Sequence, residues 1–151
     1  MSITDFSLRL LAAIAAGILI GIEREWQNKS AGIRTNTLVS VGSALYVILS
    51  IQMTETNGDV TRIIGQVVTG IGFLGAGIIF KEGINIHGLT TAATVWCASA
   101  IGCTAAAGYF TETLIGTLLV ISVNLFTLPF DKLIDKIKKK RIENREMKQI
   151  K

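Results

Sequence analysis

At 151 residues, 50% hydrophobic and 17% charged, with a mean hydropathy of +0.52, the chain is too apolar for an ordinary soluble domain and too short for more than one compact unit. Its net charge of +4 comes from the C-terminal tail, so it is not a nucleic-acid signature. The sequence reads as an integral membrane protein.

Five apolar blocks follow one another: Phe6 to Ile22, Thr37 to Met53, Ile63 to Phe80, Leu89 to Ala107 and Phe110 to Phe130. Each is close to the ~20 residues a helix needs to cross a ~30 Å hydrocarbon layer. The predicted fold is therefore an all-α bundle of five transmembrane helices over 1–130, followed by a basic tail over 131–151.

No positively charged segment precedes the first block, so it is expected to remain as a helix and not to be cleaved as a signal peptide. Ser2 and Asp5 have capping-box spacing, and Asp5 sits four residues before Arg9, where it can pair that charge.

The third and fourth blocks form a hairpin of small residues joined by a polar segment from Lys81 to His87. In the third, Gly65, Thr69, Gly72 and Ala76 follow one helical face, Gly70 and Gly77 mark a second, and Gly75 a third. Such residues let other backbones approach closely, so they are the expected packing and partner face. Two readings stand: a tightly packed central helix, or an interrupted helix whose freed carbonyls line a small hydrated cavity.

In the fourth block Thr90, Thr94, Cys97, Ile101 and Thr104 share a stripe, with hydroxyls able to bond back to the preceding turn. Cys97 and Cys103 are six residues apart, point about 120° away from each other on a helix and are expected to be small packing residues. Gln66 in the third block and Asn124 in the fifth carry full amides, which are costly in hydrocarbon, so both are expected to face protein.

Lysine and arginine set the predicted orientation. Three lie in the first loop (Arg24, Lys29, Arg34), one in the third (Lys81) and nine after Phe130, against only Arg9 and Arg62 on the other side. The positive-inside rule then puts the N-terminus outside and the C-terminus in the cytoplasm. The run Lys136, Lys138, Lys139, Lys140 and Arg141 is expected to draw anionic lipid.

One charged cluster falls at the cytoplasmic boundary. Glu23, Arg24 and Glu25 end the first span, Arg34 and Thr35 begin the second, Lys81 and Glu82 end the third, and Asn85, Thr90 and Thr91 open the fourth. Singly these are membrane-flanking groups; together, opposite charges from separate loops predict an ion-pair network that fixes helix ends or meets a partner.

Four segments resemble the MgtC/SapB family of bacterial inner-membrane proteins: Gly21-Ile22-Glu23-Arg24-Glu25, Gly32-Ile33-Arg34-Thr35-Asn36-Thr37-Leu38, Gly70-Ile71-Gly72-Phe73-Leu74-Gly75-Ala76-Gly77 and Gly88-Leu89-Thr90-Thr91-Ala92-Ala93-Thr94-Val95-Trp96. The resemblance implies a plasma-membrane protein associated with growth at low Mg²⁺ and, in pathogens, with survival inside host cells. It also implies a regulator that binds other membrane proteins, the F-type ATP synthase among them. Many members carry a soluble C-terminal domain where this chain has a short basic tail.

Two functions are expected on these grounds. The first is a small binding protein, with a homo-oligomer allowed, whose third and fourth helices dock against a partner. The alternative is a channel or transporter for Mg²⁺ or another ion along the threonine seam and the Glu23, Arg34 and Glu82 cluster. Against it, no carboxylate lies near the middle of a span to hold a divalent cation. No enzyme is expected: the single histidine, His87, is alone in a loop, and no nucleophile with a base and orienting group, no metal ligand set and no cofactor motif is present.

Overall fold

Five helices occur where the hydropathy places them: α1 (Ile3–Trp26), α2 (Ile33–Met53), α3 (Val60–Ile78), α4 (Leu89–Ala107) and α5 (Phe110–Thr127). This computed structural model describes residues 1–53, 59–83 and 85–127, with Asn85 by its backbone alone. The basic tail 131–151 and the end of the fifth block lie outside the described residues. All five helices are long and apolar enough to cross a membrane. Between α3 and α4 the polar segment is a two-stranded antiparallel ribbon, β1 (Phe80–Glu82) and β2 (Asn85–His87), with Phe80 paired to His87 and Glu82 to Asn85. The aromatic rings of Phe80 and His87 stack at 5.3 Å between centroids.

The helix ends follow local chemistry. Ser2 caps α1, its hydroxyl accepting the Asp5 amide at 3.1 Å, and the Asp5 carboxylate pairs with Arg9 at 3.1 Å, as the spacing predicts. Asp59 caps α3 through the Thr61 amide at 2.9 Å. Hydrogen bonds from the Thr61 hydroxyl and amide hold the Asp59 carboxyl below the usual carboxylate range. Gly108, at φ +86°, ends α4 in a Schellman turn, with the Gly108 N–H donating to Ala105 O and the Tyr109 N–H to Thr104 O.

By contact the chain forms two units, Met1–Val120 and Ile121 onward. In the first, α1 and α2 run antiparallel at backbone contact: a Cβ on Gly17 would stand 2.6 Å from Thr37 Cα, and one on Gly21 would overlap Ile33. Gly102 of α4 lies equally hard against the Ser40 carbonyl of α2. The apolar core gathers Ala13, Ala44, Val47, Ile48, Ala105 and Ala106, with Phe6, Leu10, Val60 and Ile64 packed on it. It sits at the end where α1 begins and α2 and α4 finish. There the Arg9 guanidinium donates to the Ala106 carbonyl at 2.5 Å, placing a cation on the negative end of α4. In the second unit, Asn124 is buried, and the Thr127 hydroxyl bonds back to Val123 O.

Helix α3 is a continuous helix, not an interrupted one. It is also not tightly packed: Ile71, 8% exposed, is its one buried residue. It leans on α4, where Gly75 would set a Cβ 3.8 Å from that of Ala92. Among the described residues, Gly65, Gly70, Gly72 and Gly77 have nothing within 4 Å of such a Cβ. At 100° per residue, Gly65, Thr69, Gly72 and Ala76 point away from both α2 and α4.

Candidate functional site

On α1 the buried positions Ala13, Ala16, Gly17, Ile20, Gly21, Glu23 and Arg24 recur at helical spacing, and the stripe that begins apolar ends in two charges. Arg24 is 1% exposed and Glu23 6%. Their Nη1 and Oε1 stand 3.8 Å apart, and the Gln27 amide also donates to Glu23 Oε1. The Nε and Nη2 of Arg24 are buried with no hydrogen-bond partner among the described residues, as is Asn36 Oδ1. A charge held this way is expensive, because desolvation exceeds what one long ion contact returns.

The third member of the Glu23-Arg24-Glu25 run does something different. Glu25 reaches across the turn and accepts the Ile33 amide at 3.1 Å, so a carboxylate sits at the positive N-terminus of α2. It also closes over Gly32, where a Cβ would strike its carboxylate. Asn36, fully buried, donates to the Ala31 and Gly32 carbonyls at 2.8 and 3.0 Å and ties the same turn. Further along α2, Ser40 donates to Ala13 O of α1 at 2.8 Å, and Ser43 meets Ser99 of α4 at 2.6 Å.

The predicted cluster is thus only partly assembled. Glu23, Arg24 and Glu25 lock the α1–α2 turn, and Thr91 is buried in the first turn of α4. Arg34, Thr35, Lys81, Glu82 and Thr90 are exposed. Arg34 and Lys81 have no ion-pair partner among the described residues, and Glu82 faces His87 of its own ribbon at 3.9 Å. Among the described residues no network joins the loops through them. The Asn85 side chain lies outside what the structure describes.

The threonine seam is satisfied locally: Thr94 donates to Thr90 O at 2.9 Å, and Thr104 to Ile101 O at 2.8 Å. Gln66 is exposed, contrary to expectation, whereas Asn124 is buried. Cys97 and Cys103 are free thiols. Among the described residues no three His, Cys, Asp or Glu side chains converge. Asn36, Ser40 and Ser43 were not singled out from the sequence, although their i, i+4, i+7 spacing marks one polar face of α2.

Comparison with known proteins places these features in a family. The chain is 45% identical to an uncharacterized protein of Synechocystis sp. over 128 residues, covering 85% of this chain and 54% of that protein. It is also 45% identical to Protein MgtC of Brucella abortus over 126 residues, 83% of this chain and 52% of that one. With Protein MgtC of Salmonella typhimurium it shares 45% identity over 125 residues, 83% and 53% of the two chains. The chain spans about half the length of these relatives. No solved structure matches it. The MgtC family model matches residues 10–133, and this multi-pass membrane protein belongs to the MgtC family.

Proposed function

We propose that the protein is a non-catalytic regulator in the bacterial plasma membrane, of the MgtC/SapB type and linked to adaptation to Mg²⁺ limitation, acting by binding other membrane proteins. One observation carries the binding part. Helix α3 turns Gly65, Thr69, Gly72 and Ala76 outward, and among the described residues nothing fills the space beside Gly65 and Gly72. In lipid, small residues facing outward gain nothing from acyl chains but allow another helix to approach at backbone distance.

The F-type ATP synthase is among the membrane-protein partners that the family resemblance implies, and a second copy of the chain is compatible with the same face. Gly72→Leu and Ala76→Leu are expected to abolish co-purification with partners from native membranes after crosslinking. Unchanged capture by both variants overturns the binding face. Mg²⁺ flux into vesicles holding the purified protein, above that of empty vesicles, supports the transport reading instead.

A further inference from the structure

Helices α2 and α3 are held together at one end, where Val60 and Ile64 pack on the core with Val47 and Ile48. Along the rest of their length they stand apart around an apolar groove of about 550 Å³, walled by Leu38, Gly42 and Tyr46 on α2 and by Ile63, Gly70 and Leu74 on α3. Gly42 and Gly70 put no side chain into the groove, and a Cβ on either would meet nothing within 4 Å among the described residues. Ser43, in the floor, uses its hydroxyl on Ser99. The remaining polar side chains, Tyr46 and Gln66, lie toward the closed end.

The groove has a length and a charged end. From Ile63 to Leu74 the wall rises ~16 Å at 1.5 Å per residue, about the depth of one leaflet of a ~30 Å hydrocarbon core. A helix ~10 Å across does not fit between two helices that still touch, whereas an acyl chain does. At the open end, Arg34 stands one turn before Leu38 on the same face of α2, and Thr35 one turn before Val39. Both are exposed, and Arg34 has no ion-pair partner among the described residues. Lys81, also exposed, follows the end of α3 on that side.

We infer that the α2–α3 groove binds one anionic phospholipid, with an acyl chain between Gly42 and Gly70 and its phosphate against Arg34. The face concerned differs from the outward stripe of α3, so the two proposals stand or fall separately.

Native mass spectrometry of the purified full chain, in micelles doped with equal amounts of phosphatidylglycerol and phosphatidylcholine, tests it. The wild type is expected to retain one phosphatidylglycerol in preference. Arg34→Gln is expected to lower that preference about fivefold, the equivalent of ~1 kcal/mol for one basic residue at the surface. Gly42→Leu with Gly70→Leu is expected to lose both lipids while keeping its helical circular dichroism, and either single variant serves if the pair does not fold. The basic tail is unchanged in every variant and cannot produce these differences. Equal retention of the two lipids by the wild type, or undiminished retention by the leucine variants, overturns the site.

Discussion

Arg24 holds a charge at 1% exposure with one ion contact at 3.8 Å and two nitrogens unsatisfied among the described residues. Removing its charge takes a cation from beside the buried Glu23 carboxylate, which keeps the Gln27 amide, so Arg24→Met is expected to cost about 3 kcal/mol. The double variant Glu23→Gln with Arg24→Met removes both charges and is expected to recover most of that loss, because an uncharged pair avoids the penalty of desolvating two ions. Reversible unfolding in bicelles, analysed as a double-mutant cycle, measures the coupling; additive losses would mean that the pair does not act as a pair. This behaviour was only half legible in the sequence. The charges of Glu23-Arg24-Glu25 are plain, but which of three consecutive residues points inward depends on the phase of α1, and that phase is fixed by Gly17 and Gly21 lying against α2. Glu25, one residue further round, faces the next turn and becomes a cap.

Glycine means opposite things on different helices. Gly17, Gly21 and Gly102 stand where a methyl group meets backbone; Gly65 and Gly72 stand where it meets open space. Alanine at Gly17 or Gly102 is therefore expected to destabilise the fold by about 3 kcal/mol through overpacking, while Gly65→Ala changes it by under ~1 kcal/mol. Thermal unfolding of the three variants separates the classes, and equal losses would remove the distinction. The sequence displays GxxxG spacing in α1 as openly as small residues in α3, yet the denser glycine run drew the packing expectation to α3. Spacing alone carries no partner: it states that a close approach is possible and not which helix makes it. At the start of α3, by contrast, the cap is purely local. The Asp59 carboxyl is depressed in the fold, so its contribution is present above the unfolded value of about 4 and is lost as pH falls through the lower folded value. Amide exchange at Thr61 and Arg62 is expected to accelerate on that acid side, and Asp59→Asn to flatten the dependence. Exchange indifferent to pH in the wild type, once corrected for intrinsic chemistry, would refute this.

For the molecule as a whole, the count of spans and the charge of the loops act together. With each of the five helices crossing the membrane once, successive loops alternate sides, and the turn between α1 and α2 shares a side with the ribbon between α3 and α4. That side carries Arg24, Lys29, Arg34 and Lys81, and the opposite side Arg9 and Arg62. Two of these cations are already committed: Arg24 is sealed beside Glu23, and Arg9 is bonded to Asp5 and to the end of α4. Of the exposed ones, Lys29, Arg34 and Lys81 share the first side, against Arg62 on the other. We propose a cytoplasmic location for them on the positive-inside rule, which weighs short loops close to span ends. In a Cys97→Ala, Cys103→Ala background, Ser2→Cys is then expected to react with a membrane-impermeant maleimide in spheroplasts, and Ser30→Cys only after permeabilisation. Both positions are exposed in the structure, so protection reports the membrane and not burial. The reverse pattern would turn the bundle over and carry the mouth of the α2–α3 groove into the outer leaflet. It would also leave the sealed Arg24–Glu23 pair unaffected, since that pair is fixed by the helices around it and not by the solution on either side.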